Sequence, residues 1–350
     1  MFRQLLEFKP SNRKWDFPIL AGLCVGIPIL AGYFTGLSNE GKLASLAGLV
    51  ILYAQTSSIA ATMITLMACS FGIMVSFLVG SLFSFNPYVA ALALGVFAFM
   101  IHWALYYLGL ARPPGNFFFI MIASVAICMP FNLQALPGRI GWIGIGTIIS
   151  CMLGLAYSVL FIKKMHAAQP VTANTKNKYM NLIESITFGL FVGSALLVAH
   201  LLELENPYWV PTSCAAVMQG VSTRHIWQRS VQRIAGTFIG LCATWVILLL
   251  QPSLLVICFS IIFLQVIVEW LVVRNYGIAV IFISILTIFL AESGNNLISH
   301  PTGLIIARFY DILIGSVIGA IGGWVLYNEQ LYYAARRQVR KARVILSRRR

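Results

Sequence analysis

An all-α, polytopic membrane helical bundle of about 12 spans is the fold class this sequence predicts, and three observations carry it. Apolar residues fill 59% of the 350 positions and charged residues only 10%. Apolar runs of membrane scale recur along almost the whole length, where backbone polar groups must be satisfied internally and helices are the simplest solution. The cations also fall on one side. With the N-terminus in the cytoplasm, 21 of the 24 Lys and Arg residues lie inside and only Lys42, Arg139 and Arg308 lie outside. That asymmetry is a positive-inside signature, and it turns the net charge of +14 away from a nucleic-acid reading. It also fixes an even number of spans with both termini cytoplasmic.

Taken in order, residues 1–16 are charged and lack a small-residue cleavage site, which argues against a removable signal peptide. They are expected to be a cytoplasmic N-terminal segment. Six apolar segments follow, at 17–36, 42–57, 61–84, 87–110, 116–131 and 140–162, making a first membrane repeat over 17–162. Residues 163–182 form a polar cytoplasmic linker. A second repeat over 183–327 holds segments at 183–202, 208–222, 226–250, 253–273, 277–292 and 302–327. The basic run RRQVRKARVILSRRR, within 328–350, is expected to continue the last helix along the anionic leaflet as a topology anchor.

The division into two rests on recurrences. GLCVG at 22–26 returns as GLFVG at 189–193, His102-Trp103 as Glu269-Trp270, and Arg139 before Gly146 as Arg308 before Gly315, at offsets of 167, 167 and 169. An even number of segments per copy gives two parallel six-helix repeats related by an axis along the membrane normal. Seven cysteines are scattered through apolar segments without a C-x-x-C pair, and the five histidines are equally dispersed. They indicate packed thiols, with no metal site, disulfide framework or cofactor.

The second segment of each copy is short, about 15 to 17 residues, and Pro211 interrupts the later one. At 1.5 Å per residue such a segment falls short of the hydrocarbon core, and short or broken segments at matching places in two repeats point to a substrate site. The fifth segments are short too, but the second pair has Arg224, Arg229 and Arg233 beside it. Ser222 or Thr223 can cap the next helix, which places Arg229 and Arg233 on one face near its positive end. Guanidinium forks suit carboxylates. Gly236 and Gly240 then let a neighbouring helix approach closely.

With these residues in view, the second half resembles the FUSC family of fusaric acid resistance proteins and aromatic acid exporters. The resemblance rests on Tyr208-Trp209-Val210-Pro211, the loop Gln219-Gly220-Val221-Ser222-Thr223, and Arg229, Arg233, Gly236, Thr237 and Gly240 in the pattern R-x-x-x-R-x-x-G-T-x-x-G. The first half looks like a diverged copy with Ala61 and Thr65 or their neighbours in place of the arginines. The family resemblance implies export of aromatic carboxylates or related drugs across the bacterial inner membrane, in many members beside a periplasmic adaptor of the HlyD type, and a distant relation to plant malate channels. Larger members carry a cytoplasmic domain between their membrane blocks, where this chain has only the linker.

The expected substrate contacts are therefore Arg233, Arg229 and Arg224, with Trp209, Gln219 and Thr223 beside them. Each arginine has an alternative as a helix anchor, and Trp209 as part of an interfacial aromatic belt. Glu269 and His102, at matching places in the two copies, are candidates for proton coupling, since burial favours a protonated carboxyl and imidazole titrates near neutrality. Glu269 has an ordinary alternative as a charge paired with Arg274. Arg308 and Asp311, one turn apart, and Arg139 are assigned to the outer mouth, with Arg308 and Asp311 expected to pair locally. No phosphate-cradling G-x-x-x-x-G-K-[ST] occurs, so the expectation is a secondary, proton-driven exporter of organic anions, or alternatively a passive anion channel. A membrane enzyme would need a nucleophile with a base or a group of metal ligands, and no such grouping stands out. Membrane lipid, a small organic anion, an adaptor and a second copy of the chain are the partners considered.

Overall fold

The computed structural model describes residues 8, 10–11, 15–54, 58–108, 114–161, 178–291 and 301–328. Most of the expected N-terminal segment, linker positions 163–177 and the basic stretch 329–350 lie outside the described residues. The described part contains twelve α-helices and no strand. They are α1 Asp16–Thr35, α2 Ser38–Gly48, α3 Ile59–Leu82, α4 Pro87–Tyr107, α5 Phe117–Ile127, α6 Leu136–Phe161, α7 Lys178–Leu201, α8 Trp209–Met218, α9 Thr223–Leu249, α10 Leu254–Val272, α11 Tyr276–Ala291 and α12 Pro301–Tyr327. A 3₁₀ turn, Leu49–Tyr53, extends α2.

Eight helices (α1, α3, α4, α6, α7, α9, α10 and α12) are long and apolar enough to cross a membrane. The chain is a multi-pass membrane protein. The other four, α2, α5, α8 and α11, are shorter, and they are the second and fifth of each half. The expected segments 42–57 and 208–222 are shorter as helices than the apolar pattern suggested, because α8 stops at Met218 and α2 tightens into its 3₁₀ turn after Gly48. α7 starts at Lys178, earlier than the expected 183.

Packing registers give each helix its direction. Ser45 of α2 bonds the Val25 carbonyl and Gly41 lies against Gly32, so α1 and α2 are antiparallel. α2 and α6 are parallel, since Gly146 meets Ala44 and Ser150 bonds the Gly48 carbonyl. In the second half Gly315 meets Val210 and Gly319 meets Cys214, so α8 and α12 are parallel too. The pairings α3 with α5 and α6 return as α9 with α11 and α12. Between the halves, α4 packs on α7 and α10 on α1. Gly22 meets Ile262 and Val266 while Gly189 meets Gly95 and Phe99, which makes both pairs antiparallel. Followed through, these registers run α1 and α7 in the same direction. The α4 and α7 backbones touch because Gly95, Gly189 and Gly193 face one another; a Cβ on Gly95 would lie 3.0 Å from the Gly189 carbonyl oxygen.

Two of the short helices are the most deeply buried. Every residue of α8 is buried, and eight of the eleven in α5. Large apolar side chains such as Phe71, Leu92, Leu190 and Phe263 are exposed on the long helices. This inside-out arrangement suits a lipid-facing perimeter, where lipid tails solvate apolar side chains.

Candidate functional site

A cavity of about 950 Å³ lies among the short helices, α9 and α10, with walls from both halves. It reaches from Gln219, Arg229 and Arg274 at one end to Lys42, Arg139 and Arg308 at the other. The first end is the cytoplasmic one on the positive-inside assignment.

The inner end is built by the turn between α8 and α9. Pro211 sits in the first turn of α8, where a missing N–H costs no helical bond. The α8 helix ends at Met218, and the side chain of Gln219 donates to the Pro114 carbonyl at 2.9 Å, joining this turn to the first half. Ser222 is extended, and its Oγ accepts the His225 N–H at 3.2 Å, so Ser222, and not Thr223, caps α9. Gly236 lets α11 come close to α9: a Cβ there would lie 2.7 Å from the Gly277 carbonyl oxygen.

That approach brings Tyr276 to the two arginines. Arg229 lies over the Tyr276 ring with its guanidinium carbon 4.3 Å from the centroid. Arg233, 5% exposed, donates to the Tyr276 hydroxyl at 3.4 Å and to Ser213 Oγ at 3.1 Å. The Nε donors of both arginines are buried without a hydrogen-bond partner among the described residues. A buried, charged donor left unpaired is unfavourable by more than the roughly 1–3 kcal/mol of a neutral one. Arg229 and Arg233 therefore have donor capacity that a bound anion would satisfy.

At the outer end Arg308, 4% exposed, lies over the ring of Trp209 and donates to Thr287 Oγ1 at 2.8 Å. Asp311, one turn on, is completely buried, and neither carboxylate oxygen has a hydrogen-bond partner. Arg308 and Asp311 thus keep the electrostatic pairing expected of opposite charges one turn apart, while the hydrogen bond of Arg308 goes to Thr287. Arg139 lines the cavity and donates to the Pro130 carbonyl at 3.3 Å.

Glu269 is 5% exposed and lines the cavity near Arg274. Arg274 lies over Trp270 and donates to its carbonyl at 2.7 Å. Trp270 itself stacks on Trp15, with centroids 4.9 Å apart, and is not on the cavity wall.

The structure thus brings Arg233, Arg229, Trp209, Gln219, Glu269, Arg308 and Arg139 to one cavity. Four expected residues fall elsewhere. Arg224 is exposed and off the lining, Thr223 lies in the first turn of α9 away from it, and Asp311 is behind Arg308. His102 sits in the α4–α7 seam, 2.9 Å from Ser185 Oγ and stacked on Phe188. Its matching place to Glu269 does not bring the two together, because in this seam the residue faces α7 and not the cavity. Sequence reasoning missed Lys42, Tyr276 and Ser213 as site components. The Tyr-Gly pair at 276–277 beside a short segment was the available signal for Tyr276. Among the described residues no group of three or more His, Cys, Asp or Glu is placed to hold a metal ion, and the seven cysteines are free thiols.

Residues 194–322 match the family described as fusaric acid resistance protein-like. A curated relative, the uncharacterized membrane protein YvaC of Bacillus subtilis (strain 168), is 36% identical over 149 residues. That alignment covers 42% of this chain and 23% of the relative, so the chain matches about a quarter of the relative's length. No solved structure matches the chain. The arginine pair, Trp209, Glu269 and Arg308 all fall inside the matched stretch.

Proposed function

We propose that this chain is a secondary exporter of organic anions, aromatic carboxylates foremost, across a bacterial inner membrane, with the cavity between its halves as the pathway. The observation that carries this reading is the pair Arg229, half-buried, and Arg233, buried, whose Nε donors have no hydrogen-bond partner among the described residues, on the wall of a 950 Å³ cavity. Among the described residues, six cations (Lys42, Arg139, Arg229, Arg233, Arg274, Arg308) and a single acid, Glu269, line it. A cleft lined by one sign of charge concentrates ligands of the other sign. Trp209, Tyr208, Phe117 and Phe118 add aromatic surface to the same wall.

Glu269 is the proposed proton carrier, as the only carboxylate on the lining among the described residues. Exchange between inward and outward states is assigned to rocking of two parallel repeats. The matching helix pairings and directions of the two halves support that division. One observation favours a passive channel instead: a single cavity carries lining residues from both ends of the bundle. Uptake of labelled benzoate and 4-hydroxybenzoate into inside-out vesicles, with and without an imposed pH gradient, separates the two. Accumulation against a gradient that requires the pH difference supports the exporter. Flux that only equilibrates favours the channel, and absence of saturable carboxylate flux under both conditions refutes the organic-anion reading.

A further inference from the structure

We infer that the cavity is built for dianions: ligands with two oxyanion groups separated by an apolar spacer, one group held by Arg233 with Arg229 and the other by Arg308 with Trp209. The inference rests on the organic-anion reading above and narrows its substrate class.

The spacing follows from helix register. Phe238 of α9 lies edge-on to Phe309 of α12, and Ser230 of α9 bonds the Ser316 carbonyl, so these antiparallel helices place position 308 level with position 239. Arg233 is six residues below that level, about 9 Å along the axis at 1.5 Å per residue. Along α8 the partners of the two arginines are Ser213 and Trp209, four residues or about 6 Å apart. The two guanidinium stations are therefore separated by about 6 to 9 Å along the pathway.

Between the stations the wall presents Val280, Ile283 and Leu286 on α11, and Thr212 on α8 donates its hydroxyl to the Tyr208 carbonyl at 2.7 Å. Thr237 and Ser284 lie there too, with the Ser284 hydroxyl 2.9 Å from the Val280 carbonyl and 3.4 Å from Thr237 Oγ1. An apolar linker thus meets carbon, while each end meets a planar cation on an aromatic face. Arg229 lies on Tyr276 and Arg308 on Trp209. Stacking leaves a guanidinium's edge donors in the ring plane available for a carboxylate. The outer station is reinforced by Lys42 and Arg139 on the first-half wall. Glu269, the acid on the lining, belongs to the inner end, and Asp311 is off the lining. A monoanion engages one station, whereas a dianion of matching length engages both.

The test is ligand-induced thermal stabilisation of the purified full chain in detergent or nanodiscs, titrated with adipate, suberate, succinate, hexanoate and benzoate. A ligand that binds only the folded state raises the melting temperature according to its affinity. Adipate and suberate are expected to bind about tenfold or more tightly than hexanoate, as a second charge-assisted contact implies. Succinate, too short to span, is expected to behave like the monoanions. Arg308→Gln should close the gap between adipate and hexanoate, and Arg308→Lys should retain part of it. Equal shifts for adipate and hexanoate in the unaltered chain would overturn the dianion inference while leaving the organic-anion reading intact. The absence of a shift with every carboxylate would overturn both. If Arg308→Gln does not fold, the Arg308→Lys variant and the chain-length series in the unaltered protein still decide.

Discussion

Replacing Arg233 by alanine removes a cation that makes two hydrogen bonds, to Ser213 and Tyr276, and carries a buried, unpartnered Nε. For the fold the loss is partly offset, because a guanidinium that lacks a full set of acceptors is itself costly to bury. For an anion it is not. One hydrogen bond to a charged group contributes about 1.5–3 kcal/mol, which is about 10- to 150-fold in affinity. Arg233→Ala is therefore expected to raise the half-saturating concentration of benzoate by that factor in inside-out vesicles, with Arg233→Lys in between. Elution profile and melting temperature in detergent serve as the folding control. A well-folded Arg233→Ala protein whose concentration dependence is unchanged would refute the assignment of the anion contact to this side chain.

Other substitutions probe different parts of the site. Glu269→Gln should remove the response of uptake to an imposed pH gradient while leaving equilibrative anion flux, measured in the same vesicles. Arg224→Ala, at an exposed position off the cavity lining, should change uptake less than twofold, in contrast to Arg229 and Arg233, less than three turns away on the same helix. Gly189→Val should loosen the α4–α7 seam, since even a Cβ there would lie 2.5 Å from the Gly95 carbonyl oxygen. Overpacking of that kind costs about 1–3 kcal/mol and should appear as a lower melting temperature.

Much of the fold was legible because the membrane simplifies the problem. Apolar runs mark helices where no other backbone arrangement is self-satisfied, and all twelve expected segments have a helix at or near their place. Helix ends were less legible. The tightening of α2 into a 3₁₀ turn after Gly48 and the early stop of α8 depend on packing against α6 and α12, which an apolar pattern does not encode. In the site, Arg229 and Arg233 were found because cations at membrane depth are costly and so conspicuous. Tyr276, Ser213 and Lys42 were not, since an isolated hydroxyl or a first-turn lysine resembles any other until a partner is seen across the helix gap. His102 was expected beside the pathway, but a matching position in the sequence does not encode which face a residue presents, and its side chain lies in the α4–α7 seam against Ser185 and Phe188.

The most direct measurement of the pathway is side-selective thiol labelling at Ser284, midway along the cavity wall on α11, in a cysteine-depleted background. Ser284→Cys is predicted to react faster with an anionic methanethiosulfonate than with its cationic counterpart. The reaction should block uptake, and millimolar benzoate should slow it, whereas a cysteine at the exposed Phe263 should remain unreactive toward both. Failure of the anionic reagent to reach Ser284→Cys, or reaction at a rate no faster than at Phe263, would contradict an anion pathway through the space between the two halves.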